Sequence, residues 1–261
     1  MARDLTFQPF SGVGIVTMYE RNSDGTPKAG FDLGEAPVFK LTQQAPNVEM
    51  NTTRSADRGV AFRMAQSKGA SLEIQLKTLN DFNLELITSG VWTETAATAA
   101  VVGWSAPADL VVGNVIKLPA RNVSAVAVKD STAGAAKTLP PASYELDPVG
   151  GTIKLLDIPT AGGPYVQPFK VDYTPGAVKV LGGLKATDKE YIVQLNGTNA
   201  QDGSRIVFEG FRFRFAAEGD SDWISEGPYG TWTLRGSLQK DELRGAGSAG
   251  GQYYALTKPG A

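Results

Sequence analysis

Residues 209–220 read EGFRFRFAAEGD, phenylalanine alternating with arginine up to an acidic turn. Successive side chains of a strand point to opposite faces. Phe211, Phe213 and Phe215 are therefore expected on one face, with Arg212 and Arg214 on the other. A base-stacking platform needs its rings and its cations turned towards the same ligand, and this alternation separates them. Within 201–222 the acids Asp202, Glu209, Glu218, Asp220 and Asp222 outnumber Arg205, Arg212 and Arg214, which disfavours a phosphate backbone. The stretch reads as the wall of a sheet with its phenylalanines in a core. At about 3.3 Å per residue, 204–216 spans roughly 40 Å, long for a strand.

The same signal continues outward. Alternating segments at 13–20, 33–42, 70–78, 109–118, 123–130, 151–157, 165–174, 189–196, 204–216 and 229–240 are separated by turn pairs such as Asp24-Gly25, Asn196-Gly197 and Asp202-Gly203. Short strands with turns between them predict a mainly β chain, a sandwich or barrel. One helix is expected, at 80–89, with Asn80 as its N-cap, Phe82 and Leu86 on one face, and Gly90 at its C-terminal turn.

Three segments break the pattern. Residues 51–69 carry Arg54, Arg58, Arg63 and Lys68 against Asp57 alone, a local charge of +3, so the remainder of a chain of net charge −2 carries −5. They read as a long polar loop without an apolar period, and loops of that length inside a compact domain call for a function. Residues 96–184 begin inside the linker TETAATAA (93–100) and hold strands of their own in SYELDPVGGTIKLLDI and FKVDYT. They read as a β-rich insertion between a first core half, 1–95, and a second, 185–261. GAGSAGG at 245–251 reads as a flexible stretch before a terminal segment, 252–261. Residues 1–12 and 252–261 are the candidate docking tails.

Composition excludes whole classes of chemistry. The chain has 261 residues, no cysteine and no histidine. Thiol nucleophiles, serine–histidine catalysis and imidazole-bound zinc therefore have no residues to work with. Gly12-Val13-Gly14 lacks the third glycine and following helix of a dinucleotide fingerprint, and no phosphate loop, nucleophile elbow or calcium-loop spacing occurs. No catalytic, cofactor-binding or metal-binding residue is expected, and no cofactor. The charged start MARDLTFQPF lacks the apolar stretch of a signal peptide, and no run is long and apolar enough to span a membrane. The expectation is a product made in the cytoplasm without a membrane partner.

Four segments, in order, resemble the major tail tube proteins of long, non-contractile-tailed bacteriophages. They are LGEAPVFKLTQQAPNVEMNTTRS leading into the polar loop, SLEIQLKTLNDFNLELITSG as strand into helix, the inserted VAVKD…VDYT pattern, and FEGFRFRFAAEGDSDWISEGPYGTWTLRGSLQKDE. Together they touch most of 12–242. The resemblance implies a β-sandwich subunit that forms hexameric rings stacked into a virion tube. Double-stranded DNA passes through its lumen without specific binding, and tape-measure, tail-terminator and tail-tip proteins are partners. It further implies an insertion on the tube's exterior. On that reading Arg54, Asp57, Arg58, Arg63 and Lys68 contact the adjacent ring, while Arg205, Phe211, Arg212, Phe213, Arg214 and Phe215 belong to the tube wall. The alternative is a β-sandwich binding module, a phage adhesin or carbohydrate-recognition protein, with Trp223, Tyr229 and Trp232 as its aromatic surface.

Overall fold

The computed structural model describes residues 9, 11–53, 60–65, 68–160, 164–216, 221–224, 226–227 and 229–258. The chain is mainly β, built from several antiparallel sheets, with α1 (Asp81–Thr88) as its α-helix among these residues. It divides into two compact units, Met1–Val91 with Gly182–Ala261, and Trp92–Leu181. The sequence had suggested edges at 96 and 184.

The first unit holds β1 (Gly12–Arg21), β2 (Pro27–Asp32), β3 (Val38–Gln44), β4 (Asn47–Asn51), β5 (Val60–Ala65) and β6 (Gly69–Leu76) before the helix. The second contains most of β7 (Val91–Thr95), then β8 (Val101–Ser105), β9 (Val115–Lys117), β10 (Val123–Lys129), β11 (Tyr144–Asp147), β12 (Thr152–Leu155) and β13 (Lys170–Pro175), and most of β14 (Val178–Gly182). The first unit resumes with β15 (Glu190–Asn199), β16 (Arg205–Phe215), β17 (Trp232–Leu238) and β18 (Tyr254–Thr257).

In the first unit an eight-stranded antiparallel sheet runs β2-β1-β15-β16-β17-β6-β3, with β18 also paired to β16. Strand β6 shows why: Ala70, Leu72, Ile74 and Leu76 are buried and the residues between them are not. Leu234 and Leu238 of β17 join them from the neighbouring strand. The sheet curls until Phe39 of β3 meets Phe208 of β16 edge-on, 5.2 Å between ring centres. The helix covers one side through Leu86, and Phe82 stacks on Phe31 at 4.2 Å.

The helix cap is as expected at one end and shifted at the other. The Asn80 side chain accepts from the Asn83 amide at 2.7 Å. The left-handed turn that closes the helix falls on Ser89, φ 46°, one residue before Gly90. Asn83, fully buried, donates to the Leu33 and Thr78 carbonyls at 3.0 and 3.1 Å and ties the helix to the approach of β3.

The opening stretch needs correction. Tyr191 of β15 pairs with Phe213 but Val193 pairs with Gly210, so Phe211 and Arg212 together face Ile192 in a β-bulge. The extra residue reverses the alternation. Phe213 and Phe215 pack in the core with Phe208, whereas Phe211 is buried outside that cluster, beneath the Arg244 guanidinium 3.5 Å from its ring centre. The three phenylalanines do not share a face.

Three further expectations change. Residues 51–69 are not a loop throughout: β5 pairs antiparallel with β4 in a separate two-stranded sheet. The stretch 245–251 makes ordered turns through Ser248 to Gly245 and Gly251 to Ser248 hydrogen bonds. Beyond it, β18 pairs within its own chain, Val207↔Thr257 to Gly210↔Tyr254, so 254–257 is no free tail. Residues 1–8, 10 and 259–261 of the proposed docking tails lie outside the described residues.

The second unit has its own core between two three-stranded sheets, β10-β13-β8 and β11-β12-β9. Val128, Leu139, Ile153, Leu155, Phe169 and Val171 are wholly buried there. Asp130 is buried beside them. Burial alone would push its carboxyl up, but hydrogen bonds from the Thr132 hydroxyl and the Lys137, Val166 and Thr132 amides outweigh that and hold it at about 2.

Candidate functional site

Among the described residues, nothing pairs with the outer edge of β2 or of β3, the two ends of the large sheet. Every residue of β2 is exposed. An unpaired edge presents a row of N–H and C=O groups ready to accept another strand.

The β4–β5 hairpin is a second uncovered surface. Its register sets Val48 opposite Met64 and Met50 opposite Phe62, with Glu49 opposite Arg63. Period-two geometry puts the two apolar pairs on one face and the ion pair on the other. Val48, Met50, Val60, Phe62 and Met64 are all exposed, Phe62 by 69%. A two-stranded hairpin standing alone is marginal in water, and this one holds its apolar face uncovered. The alternation V-x-F-x-M at 60–64 was the signal available in the sequence, masked there by the polar residues around it.

The third surface is the loop from β16 to β17. Ser221 bridges to Trp232, and the tip beyond exposes Trp223, Tyr229 and Ile224, the last by 96%. Trp232 is half-buried at the loop's root. From 216 to 231 the sequence holds Glu218, Asp220, Asp222 and Glu226 and no lysine or arginine.

The residues singled out in the sequence are scattered among these surfaces. Arg63 lies on the hairpin and ion-pairs with Glu49, both exposed. Lys68 is exposed just before β6, its carbonyl accepting from the Tyr253 hydroxyl at 3.1 Å. Arg54, Asp57 and Arg58 lie outside the described residues. Arg205 is exposed at the start of β16, and Arg214 donates to the Thr187 carbonyl at 3.2 Å. Arg212 binds Glu190 at 2.5 Å, and that hydrogen bond holds the Glu190 carboxyl below its ordinary range.

Sequence reasoning missed the network that fixes the outer side of the sheet. Arg21, its side chain only 5% exposed, reaches Asp241 at 2.8 Å and Glu190 at 3.4 Å. Asp241 and Arg244 thus hold the segment after β17 against Phe211. Partners some 170 and 220 residues apart leave no local trace. An apolar cleft of about 490 Å³ also opens at the end of the core, lined by Val13, Val16, Phe39, Leu41, Leu195 and Phe208 among others.

Among the described residues no cluster of three or more carboxylates could hold a metal ion, and no helix is long and apolar enough to cross a membrane. What the geometry defines is a mainly β chain with uncovered sheet edges and apolar projections. It belongs to the family described as Protein of unknown function UCP028589, whose model matches residues 9–257. No curated protein matches the chain.

Proposed function

We propose that this chain is a structural subunit of the phage tail-tube kind, assembling into hexameric rings that stack into a conduit for DNA. The observation that carries the reading is the apolar face of the β4–β5 hairpin, uncovered among the described residues, as are both edges of the large sheet. A face of this kind marks a contact with another molecule. Edges that are a liability in a single copy become pairing sites in a ring.

Magnitudes favour many copies over two. Full burial of an apolar side chain of this size is worth about 1.5–3 kcal/mol. The four on one face, already half covered, gain roughly 3–6 kcal/mol, and bringing two molecules together costs about 4–15 kcal/mol. One hairpin contact barely holds a pair. Six made at once between rings hold through their effective concentration.

A second reading is favoured by one observation, the exposure of Trp223 and Tyr229 on a single loop: a binding module that stacks sugar rings. Electron microscopy and sedimentation of the purified protein separate the two. Rings or tubes are expected. A chain that stays monomeric or trimeric at high concentration and binds glycans overturns the tube. Arg54→Glu with Arg58→Glu is expected to leave a folded chain and block growth; normal tubes at ordinary salt would reject a role for the basic segment 51–69.

A further inference from the structure

The second unit holds a cleft of about 680 Å³, with apolar walls from Trp104 of β8, Leu118, Pro119, Pro175, and Val178 and Val180 of β14. Every residue that lines it lies within 92–181. Its rim is fixed by hydrogen bonds of the fold. The Asn122 carbonyl accepts from the Gly176 amide and its side chain donates to the Ala177 carbonyl, both at 2.8 Å. These bonds tie the turn that carries Arg121 to the turn that carries Pro175. Trp104 packs partly on the unit's core and lines the cleft with the rest of its ring.

Charge in the cleft is one-sided. Residues 92–181 hold seven cations and seven acids, yet the lining has Lys117 and Arg121 and no acid. Both are exposed, and among the described residues neither pairs with a carboxylate. An apolar concavity with a few convergent polar groups is the usual form of a small-ligand site.

We propose that this cleft binds an acidic saccharide, its ring laid against Trp104 and the prolines and its carboxylate taken by Arg121 and Lys117. The sign of the lining selects an anion, and the planar fork of arginine matches a carboxylate. Exposure selects a sugar over an alkyl chain. Thr95, Thr98, Pro119 and Val180 are all open to water, so an occupant keeps one side wet. A hydrocarbon would leave apolar area in water there, whereas a sugar turns its C–H face to the wall and its hydroxyls outward. The Thr95 and Thr98 hydroxyls belong to the same lining. A nucleobase is suited less, because its edges are read by hydrogen bonds and the lining has no amide or carboxyl side chain.

Trigalacturonate and its methyl ester form a matched pair of probes, the ester keeping the rings and losing the charge. Titration calorimetry on the whole chain should show the acid binding about tenfold more tightly than the ester, with raised salt narrowing the gap. Lys117→Ala with Arg121→Ala should bring the acid to the ester's level. Both side chains are exposed, so circular dichroism should show the fold unchanged. Trp104→Phe should weaken both compounds and leave the preference for the acid in place. Equal binding of acid and ester, undiminished binding of the acid by the double alanine variant, or no heat with either at millimolar concentration would overturn the site. Hexyl phosphate binding more tightly than trigalacturonate would overturn the saccharide and mark the cleft as one for amphiphiles. No residue of the first unit lines the cleft, so failure here leaves the self-assembly reading standing.

Discussion

The second unit and the first treat apolar surface differently. Between its two small sheets the second unit buries Leu139, Ile153, Leu155, Phe169 and Val171 completely. Its uncovered apolar residues include Val111, Val112 and Val149 at turns and Val102 and Val115 on edge strands. Scattered exposure of that kind is ordinary. In the first unit, cross-strand pairing gathers four such residues, Val48, Met50, Phe62 and Met64, onto one face of a hairpin. Apolar residues exposed one by one carry no argument, whereas apolar residues aligned by register form a continuous face that burial would stabilise. On the proposed reading, the difference separates a unit that completes its own core from one that leaves a surface for other copies.

The largest expected effect strikes the first unit's core. Phe213 is inaccessible to solvent, edge-on to Phe215 at 4.9 Å, and paired opposite Leu238. Phe213→Ala should cost about 3–5 kcal/mol. Hydrogen exchange on the whole chain is the suitable measurement, since a chain of two units need not unfold in one step. Amides of β6, β16 and β17 should lose protection while those of β10, β12 and β13 keep theirs. Equal loss in both would show a single cooperative body and break the comparison.

The converse change is Gly151→Ala. Gly151 has φ +69°, and an added Cβ would lie 2.1 Å from the Ala120 carbonyl oxygen. Backbone strain alone costs about 1–3 kcal/mol. The damage should stay within residues 92–181 and the protein should still assemble, as seen by sedimentation. Loss of assembly would mean that the second unit also supports the contacts between copies.

Much of the architecture was legible, for a physical reason. Where one face is buried and the other wet, as in SLEIQLK, alternation is written in the residues themselves. Asn80 announced the helix because a cap depends on one side chain and an amide three residues on. The bulge at Phe211 was illegible, because one inserted residue leaves the sequence alternating while the partner strand slips. The β4–β5 pairing was hidden for another reason. Its five apolar residues lie among Asn, Thr, Arg and Ser, and exposed strands carry no continuous hydrophobic signal. The arginine network joining Arg21, Glu190 and Asp241 was beyond reach, since only the folded sheet brings those segments together.

A smaller effect separates the units by pH. The Asp130 carboxyl is held at about 2, well under the ordinary aspartate range. A carboxyl depressed on folding stabilises the native state fully above its unfolded pKa, near 4, and loses that contribution as pH falls towards 2. Asp130→Asn should therefore weaken protection of the Lys137 and Val166 amides at pH 6, with the gap to wild type closing towards pH 2. The first unit's amides should be indifferent to the substitution. A gap that persists undiminished at pH 2 would assign the effect to lost shape and not to charge.

The smallest expected effect lies on the sheet surface of the first unit. Arg235 of β17 and Glu73 of β6 are directly opposed in the ladder and meet at 3.2 Å, with their side chains 45% and 27% exposed. Water screens such a pair, and holding two long side chains in one geometry costs entropy. Arg235→Ala should therefore change stability by about 1 kcal/mol or less, and raising salt should shrink the difference further. The contrast with Arg21, buried and shared between two carboxylates, is one of solvent access and not of partner type. A loss well above 1 kcal/mol for Arg235→Ala would mean that its stem covers the sheet more than its charge pairs, since long side chains stabilise by packing as well as by charge. Salt decides between the two, because it weakens a charge contact and leaves a packing contact intact.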